Sequence, residues 1–214
     1  MLLHLQENSM KYTHIVFDID GTLLDTEYAV LHSLQDTLRE MSDMDIPISD
    51  LTFCLGITGA DALEILKIPD KETVLSRWEK NLSGYQDTIR IFPGITRLLD
   101  ALSARGYELG IITSKTKKEF EEEFCSSGIR DYFHHVVCSD DTTEHKPSPA
   151  PIQKYMEISG TAPAQLLYIG DTAYDKKCSE GAGADFALAV WGNSSGNVIA
   201  KYALERPSDL LNYL

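Results

Sequence analysis

The sequence predicts an α/β fold, a doubly wound parallel sheet with an inserted α-helical module. Three observations carry the prediction. Short continuous apolar runs, of the kind that suit strands buried on both faces, recur along the chain. Stretches with helical spacing lie between them, as strand–helix alternation requires. One long interval, from about Tyr28 to Arg90, carries helical periodicity and no convincing strand.

The first strand signal is Tyr12 to Phe17, where Ile15, Val16 and Phe17 run into Asp18. In the interval that follows, Leu31, Leu34, Leu38 and Met41 mark one helical face, and Leu63 and Leu66 part of another. Val74, Leu75, Trp78 and Leu82 mark a third. The alternation then resumes. Ile95, Leu98, Leu99 and Leu102 predict a helix ending near Gly106, followed by a strand over Leu109 to Thr113. Phe120 and Phe124 predict a helix before Gly128, and Val136 to Cys138, Leu166 to Ile169 and Phe186 to Val190 predict further strands. The expected division is residues 1–26 and 91–214 as an α/β core and 27–90 as a helical module. A module inserted at the carboxyl end of a strand would sit over the crevice where open α/β sheets bind ligands.

Composition narrows the function. Of 214 residues, 43% are hydrophobic and 24% charged, the balance of a globular protein. Nineteen Lys and Arg against 33 Asp and Glu leave a net charge of −14. That excess argues against nucleic acid and membrane as partners, because both need clustered Lys and Arg. It leaves room for a small phosphorylated metabolite, since a metal ion reverses the field locally. The cysteines, Cys54, Cys125, Cys138 and Cys178, are widely spaced, which predicts reduced thiols and a cytoplasmic protein rather than a disulfide framework or zinc site. Met1 to Met10 reads as neither a signal peptide nor a membrane span, and no apolar run approaches the ~20 residues a membrane helix needs. Nothing specifies an oligomeric state.

Polar residues follow four of the strand signals or sit in the loops beyond them. They are Asp18-Ile19-Asp20-Gly21-Thr22, Thr113-Ser114-Lys115, His145-Lys146-Pro147 and Gly170-Asp171-Thr172-Ala173-Tyr174-Asp175. In a parallel sheet these strand ends share one edge, so the four sites converge. Asp18 and Asp171 brought together would repel unless a hard cation such as Mg²⁺ lay between them. Thr113 and Lys146 suit the non-bridging oxygens of a phosphoryl group. A carboxylate can be the nucleophile, and a second carboxyl two residues on can act as general acid and then base. Gly21 would allow a sharp turn close to the phosphoryl group.

Taken together, these four ordered sites resemble the motifs of the haloacid dehalogenase-like hydrolase superfamily. The likeness runs from Met10 onward, and the helical insert resembles the cap of the branch that includes phosphoglycolate phosphatases and β-phosphoglucomutases. The resemblance implies Asp18 as nucleophile, Asp20 as general acid/base, and Mg²⁺ held by Asp18, the Asp20 carbonyl and Asp171. It implies Thr113, with Ser114 as a backup, and Lys146 as phosphate-binding residues, and Asp175 as a metal ligand or a residue behind the ligands. Superfamily members that cleave carbon–halogen or carbon–phosphorus bonds lack an acid at the place of Asp20, so its presence favours phosphoryl transfer. Met10-Lys11-Tyr12 resembles a usual family start, which makes residues 1–9 an expected extra leader.

Other features have plainer readings. Lys115 reads as a solvated lysine, Glu121-Glu122-Glu123 as a solvated helix face, and the histidines as loop or surface residues. Asp25 and Glu27 read as the start of the cap, and Trp191 as structural in preference to lining the site. In the cap, Gly56-Ile57-Thr58-Gly59-Ala60 is either a substrate-facing loop, with Thr58 and Gly59 as binding residues, or an ordinary helix connection. Lys67, Lys71, Arg77, Lys80 and Arg90 are the cations that could answer a substrate carboxylate or second phosphate. The expected function is Mg²⁺-dependent hydrolysis of a small organic phosphomonoester, with phosphoglycolate the first substrate. A phosphomutase is the alternative among enzymes, and a phospho-accepting signalling module the alternative outside them.

Overall fold

The computed structural model describes residues 11–193, 196 and 198–214. The expected leader, residues 1–9, lies outside the described residues. The chain enters β1 (His14–Phe17) and the two-residue β2 (Leu24–Asp25), then α1 (Glu27–Ser42), α2 (Ile48–Leu51), α3 (Gly59–Ile65) and α4 (Lys71–Ser83). It returns through β3 (Arg90–Ile91) to α5 (Ile95–Ala104), β4 (Glu108–Ile112), α6 (Lys117–Glu119) and β5 (His135–Val137). It ends with α7 (Ala150–Ser159), β6 (Leu166–Gly170), α8 (Ala173–Ala182), β7 (Asp185–Ala189) and β8 (Tyr202–Leu204).

The main sheet has six parallel strands in the order β5-β4-β1-β6-β7-β8. The predicted strands are all present. Strand alternation sends Ile15, Phe17, Ile111 and Ile169 to one face, where they meet Ile95, Leu98, Leu99 and Leu102 of α5 and the Phe120/Phe124 pair. Val16, Ile112, Tyr168 and Leu188 face the other way, against Ile152 and Tyr155 of α7 and Cys178 of α8. Helices on both faces explain why the strands read as unbroken apolar runs. Phe17 is level with Ile111 on one side and Ile169 on the other, so the chain leaves β1, β4 and β6 at nearly one height.

The helices between β2 and β3 close on a cluster of their own. Leu31, Leu34 and Leu38 of α1 pack with Leu51, Leu63, Val74 and Trp78. Met41, expected on the buried face, is 42% exposed, because α1 ends one residue later and turns left-handed at Asp43. Three strands went unforeseen. β8 is three residues long with an exposed Ala203 at its centre, too short for a periodic signal. β2 and β3 pair antiparallel, Leu24 with Ile91 and Asp25 with Arg90, and so tie the outgoing and returning chain together. The Phe120/Phe124 helix also differs: α6 is one short turn that widens into a π-helical turn over Phe120–Phe124.

Candidate active site

The sheet edge brings the four sites together as the sequence predicts. Asp18 follows β1 directly, and its backbone N–H donates to the Ile169 carbonyl at 2.9 Å. Lys146 Nζ donates to Asp18 Oδ1 at 2.8 Å and to Asp175 Oδ1 at 2.7 Å, all three residues being buried. Thr113 is buried after β4, where its hydroxyl accepts from the Lys115 N–H at 3.2 Å. Asp171 accepts from the Thr22 hydroxyl at 3.2 Å. Gly21 sits at φ +79°, and a Cβ there would lie 2.3 Å from Asp171 Oδ2. The first loop can cross the fourth only because residue 21 has no side chain.

Asp175 is fully engaged. Its Oδ2 accepts from the Thr172 N–H at 3.1 Å and hydroxyl at 2.5 Å, closing a capping box at the start of α8. Its Oδ1 accepts from Lys146 and, at 2.9 Å, from the Tyr168 hydroxyl. Asp175 therefore orients Lys146. By contrast, Asp18 Oδ2 is buried with no hydrogen-bond partner. Asp18, Asp171 and Asp175 offer oxygens within 4.8 Å of one another. With Asp175 saturated, Asp18 and Asp171 are the oxygens available to a cation. A hard divalent ion fits this all-carboxylate set and would satisfy the orphaned oxygen.

The electrostatics agree. Burial pushes the Asp18 carboxyl up to about 7 against the pull of Lys146, and Asp175 and Asp20 add to the rise. Burial, then Asp175 and Asp18, also raise Asp171 well above the usual carboxylate range. Burial would lower the Lys146 ammonium, but Asp175 and Asp18 outweigh it and keep it charged.

Lys115 is not a solvated lysine. It is 8% exposed, with Nζ 2.6 Å from Glu123 Oε2 and 3.1 Å from Asp20 Oδ1. The Asp20 oxygen makes no hydrogen bond in that pairing, so the contact is ionic in character. Glu123 consequently departs from the solvated acidic face, while Glu121 and Glu122 remain exposed. Position supplies a faint signal for Lys115: it stands two residues beyond the strand-end Thr113. Glu123 has none, since only the π-helical turn aims it at Lys115.

The remaining candidates make local contacts around the cleft. The Ser114 hydroxyl donates to the Gly56 carbonyl at 2.9 Å, joining the β4 loop to the helical module. Thr58 caps α3, accepting from the Asp61 N–H at 3.1 Å and donating to Asp61 Oδ2 at 2.6 Å. Gly59 lines the cleft above Asp18. His145 Nδ1 lies 3.1 Å from Asp61 Oδ2, a second contact between the two halves. Trp191 donates to the Thr22 carbonyl at 3.0 Å and so fastens the first loop.

The sequence model of the family described as "Haloacid dehalogenase-like hydrolase" matches residues 15–189. A phosphoglycolate phosphatase of Aquifex aeolicus is 32% identical over 204 residues, 94% of this chain and 95% of that one. The pyrophosphatase PpaX of Bacillus cereus (strain AH820) is 26% identical over 210 residues, covering 96% and 97%. Among solved structures, a Lactobacillus plantarum protein superposes with a TM-score of 0.87 at 27% identity, covering 96% of this chain and all of its own. CbbY from Rhodobacter sphaeroides, solved with phosphate, has a TM-score of 0.79 at 18% identity over 93% and 96%, a likeness of fold.

Proposed function

This chain belongs to the haloacid dehalogenase-like hydrolase family, and we propose that it is a Mg²⁺-dependent phosphatase acting on a small organic phosphomonoester through an aspartyl-phosphate on Asp18. The observation that carries the reading is Asp18 itself: a buried carboxylate held at one oxygen by Lys146 and unbonded at the other. Residues 1–26 and 91–214 are taken as the core and 27–90 as the cap. Free thiols at Cys54, Cys125, Cys138 and Cys178 are in keeping with a reducing, cytoplasmic setting. Among the described residues no helix is long and apolar enough to cross a membrane.

In the first half-reaction an Asp18 carboxylate oxygen forms a bond to phosphorus as the ester P–O bond breaks. Asp20, as the acid, gives its proton to the leaving oxygen. In the second half Asp20, now ionised, takes a proton from water whose oxygen attacks phosphorus. The P–O bond to Asp18 breaks, which restores the carboxylate and releases phosphate. Lys146 and Thr113 hold the non-bridging oxygens, and Asp175 keeps Lys146 aimed. Asp18, Asp171 and the Asp20 carbonyl would hold Mg²⁺, which when bound neutralises charge on the phosphoryl group.

The test is phosphate release from a panel of phosphomonoesters with and without Mg²⁺, beside Asp18→Asn. Metal-dependent release that the variant loses supports the proposal. Release that survives in Asp18→Asn removes Asp18 from the nucleophile's role.

A further inference from the structure

A cleft opens above Asp18 and Asp20, between the strand-end loops and the helical module. Its walls on the cap side are Val30, Leu55, Ile57, Leu75, Trp78 and Leu82. Trp78 turns its one polar atom away from the cleft, donating from Nε1 to Ser33 Oγ at 2.9 Å, and so offers hydrocarbon to it. Gly59 lets the wall close this tightly, since a Cβ there would lie 2.7 Å from Leu75 Cδ1.

The charged groups of this lining beyond Asp18 and Asp20 are Glu79, Glu119 and Lys115. Lys115 is already shared between Glu123 and Asp20, so engaging a substrate anion would strip both carboxylates of their buried partner. The five cap cations that might have answered a second anion are absent from the lining. Lys71 pairs with Glu64, Arg77 with Glu40 at 2.6 Å, and Arg90 with the Ile89 carbonyl at 2.6 Å. Lys67 and Lys80 are exposed to solvent. Glu79 of the lining is paired with Lys118 at 2.7 Å, and Glu119 accepts from the Thr116 N–H and hydroxyl. A carboxylate or second phosphate in the cleft would thus face hydrocarbon and, among the described residues, no lining cation free to compensate its desolvation.

Resting on the phosphatase reading, we infer that the leaving group is a small, uncharged, largely apolar alcohol. The preferred substrates are alkyl or aryl phosphate monoesters, and phosphoglycolate, pyrophosphate and bisphosphates are turned over poorly. The same apolar wall sets a phosphomutase aside, because a mutase must seat a second phosphoryl group.

The experiment compares kcat/KM for propyl phosphate, benzyl phosphate, phosphoglycolate and pyrophosphate in the presence of Mg²⁺. Propyl and benzyl phosphate are expected to exceed phosphoglycolate by about tenfold or more, since among the described residues no cation of the lining is free to pair its carboxylate. Equal or better turnover of phosphoglycolate or pyrophosphate overturns the inference and leaves the phosphatase reading standing. No release from any member overturns both. As a second arm, Leu75→Arg and Ile57→Arg each put a cation into the wall and should shift the phosphoglycolate-to-propyl phosphate ratio upward by about tenfold. A ratio that neither variant moves shows that this cleft does not receive the leaving group.

Discussion

Lys115 places its ammonium 3.1 Å from the Asp20 carboxylate while Glu123 grips the same ammonium at 2.6 Å. Asp20 is therefore restrained from a direction that the four motifs do not cover. The first consequence concerns this triad. Lys115→Met leaves Glu123 without its cation in a mostly buried site, and should cost about 3 kcal/mol of stability. Turnover should fall at the same time because Asp20 loses its restraint, and Lys115→Arg should recover part of both. Thermal unfolding and kcat measured together decide it; an unchanged kcat in Lys115→Met would separate Lys115 from the positioning of Asp20.

Asp20 itself is expected to work in two protonation states, acid in the first step and base in the second. Turnover of the wild type should therefore follow a bell-shaped pH profile. Asp20→Asn can do neither job and should lower kcat by about 10²- to 10⁴-fold. Full turnover in that variant would move the acid/base role to another group.

A pH dependence of stability follows from Asp18. Its carboxyl is raised from 3.8 to about 7 by burial in the metal-free protein, and Asp171 is raised in the same direction. The folded state then binds more protons than the unfolded chain between those values, so stability falls as pH rises through this window. Mg²⁺ needs the ionised carboxylates and binds the folded state, so it should restore more stability at pH 8 than at pH 5. Thermal melts at both pH values, with and without Mg²⁺, check the sign. A metal-free protein that grows more stable from pH 5 to pH 7 would contradict it.

Gly21→Ala should damage the site more than the fold. The left-handed backbone alone costs about 1–2 kcal/mol with a Cβ, and that Cβ would meet Asp171 at 2.3 Å. Asp171 must move, so Mg²⁺ affinity measured by calorimetry should drop along with activity. Retained affinity would remove Asp171 from the metal site.

Thr113 and Ser114 should separate cleanly. Thr113→Val removes the buried hydroxyl at the strand end and should lower kcat/KM by about tenfold or more. Ser114→Ala breaks only the hydrogen bond to the Gly56 carbonyl, worth about 1 kcal/mol, and should alter KM by a few-fold. Equal losses in both would give Ser114 a direct share in binding phosphate.

What the sequence determined by itself is the edge of the sheet and the order of groups along it. Apolar runs that end in Asp18, Thr113 and Gly170-Asp171 are local signals, and parallel strands oblige their carboxyl ends to meet. The helical insert was legible for the same reason, since periodicity is local. What the tertiary structure alone decided is where long polar side chains point. Lys115 is buried because a π-helical turn brings Glu123 to it, and Arg77 is held away from the cleft by its pairing with Glu40 between α4 and α1. β8 and the β2–β3 ribbon owe their existence to neighbours supplied by distant segments. Burial and pairing of this kind depend on which elements dock, and a two- or three-residue strand or a single lysine carries too little local free energy to announce its partner.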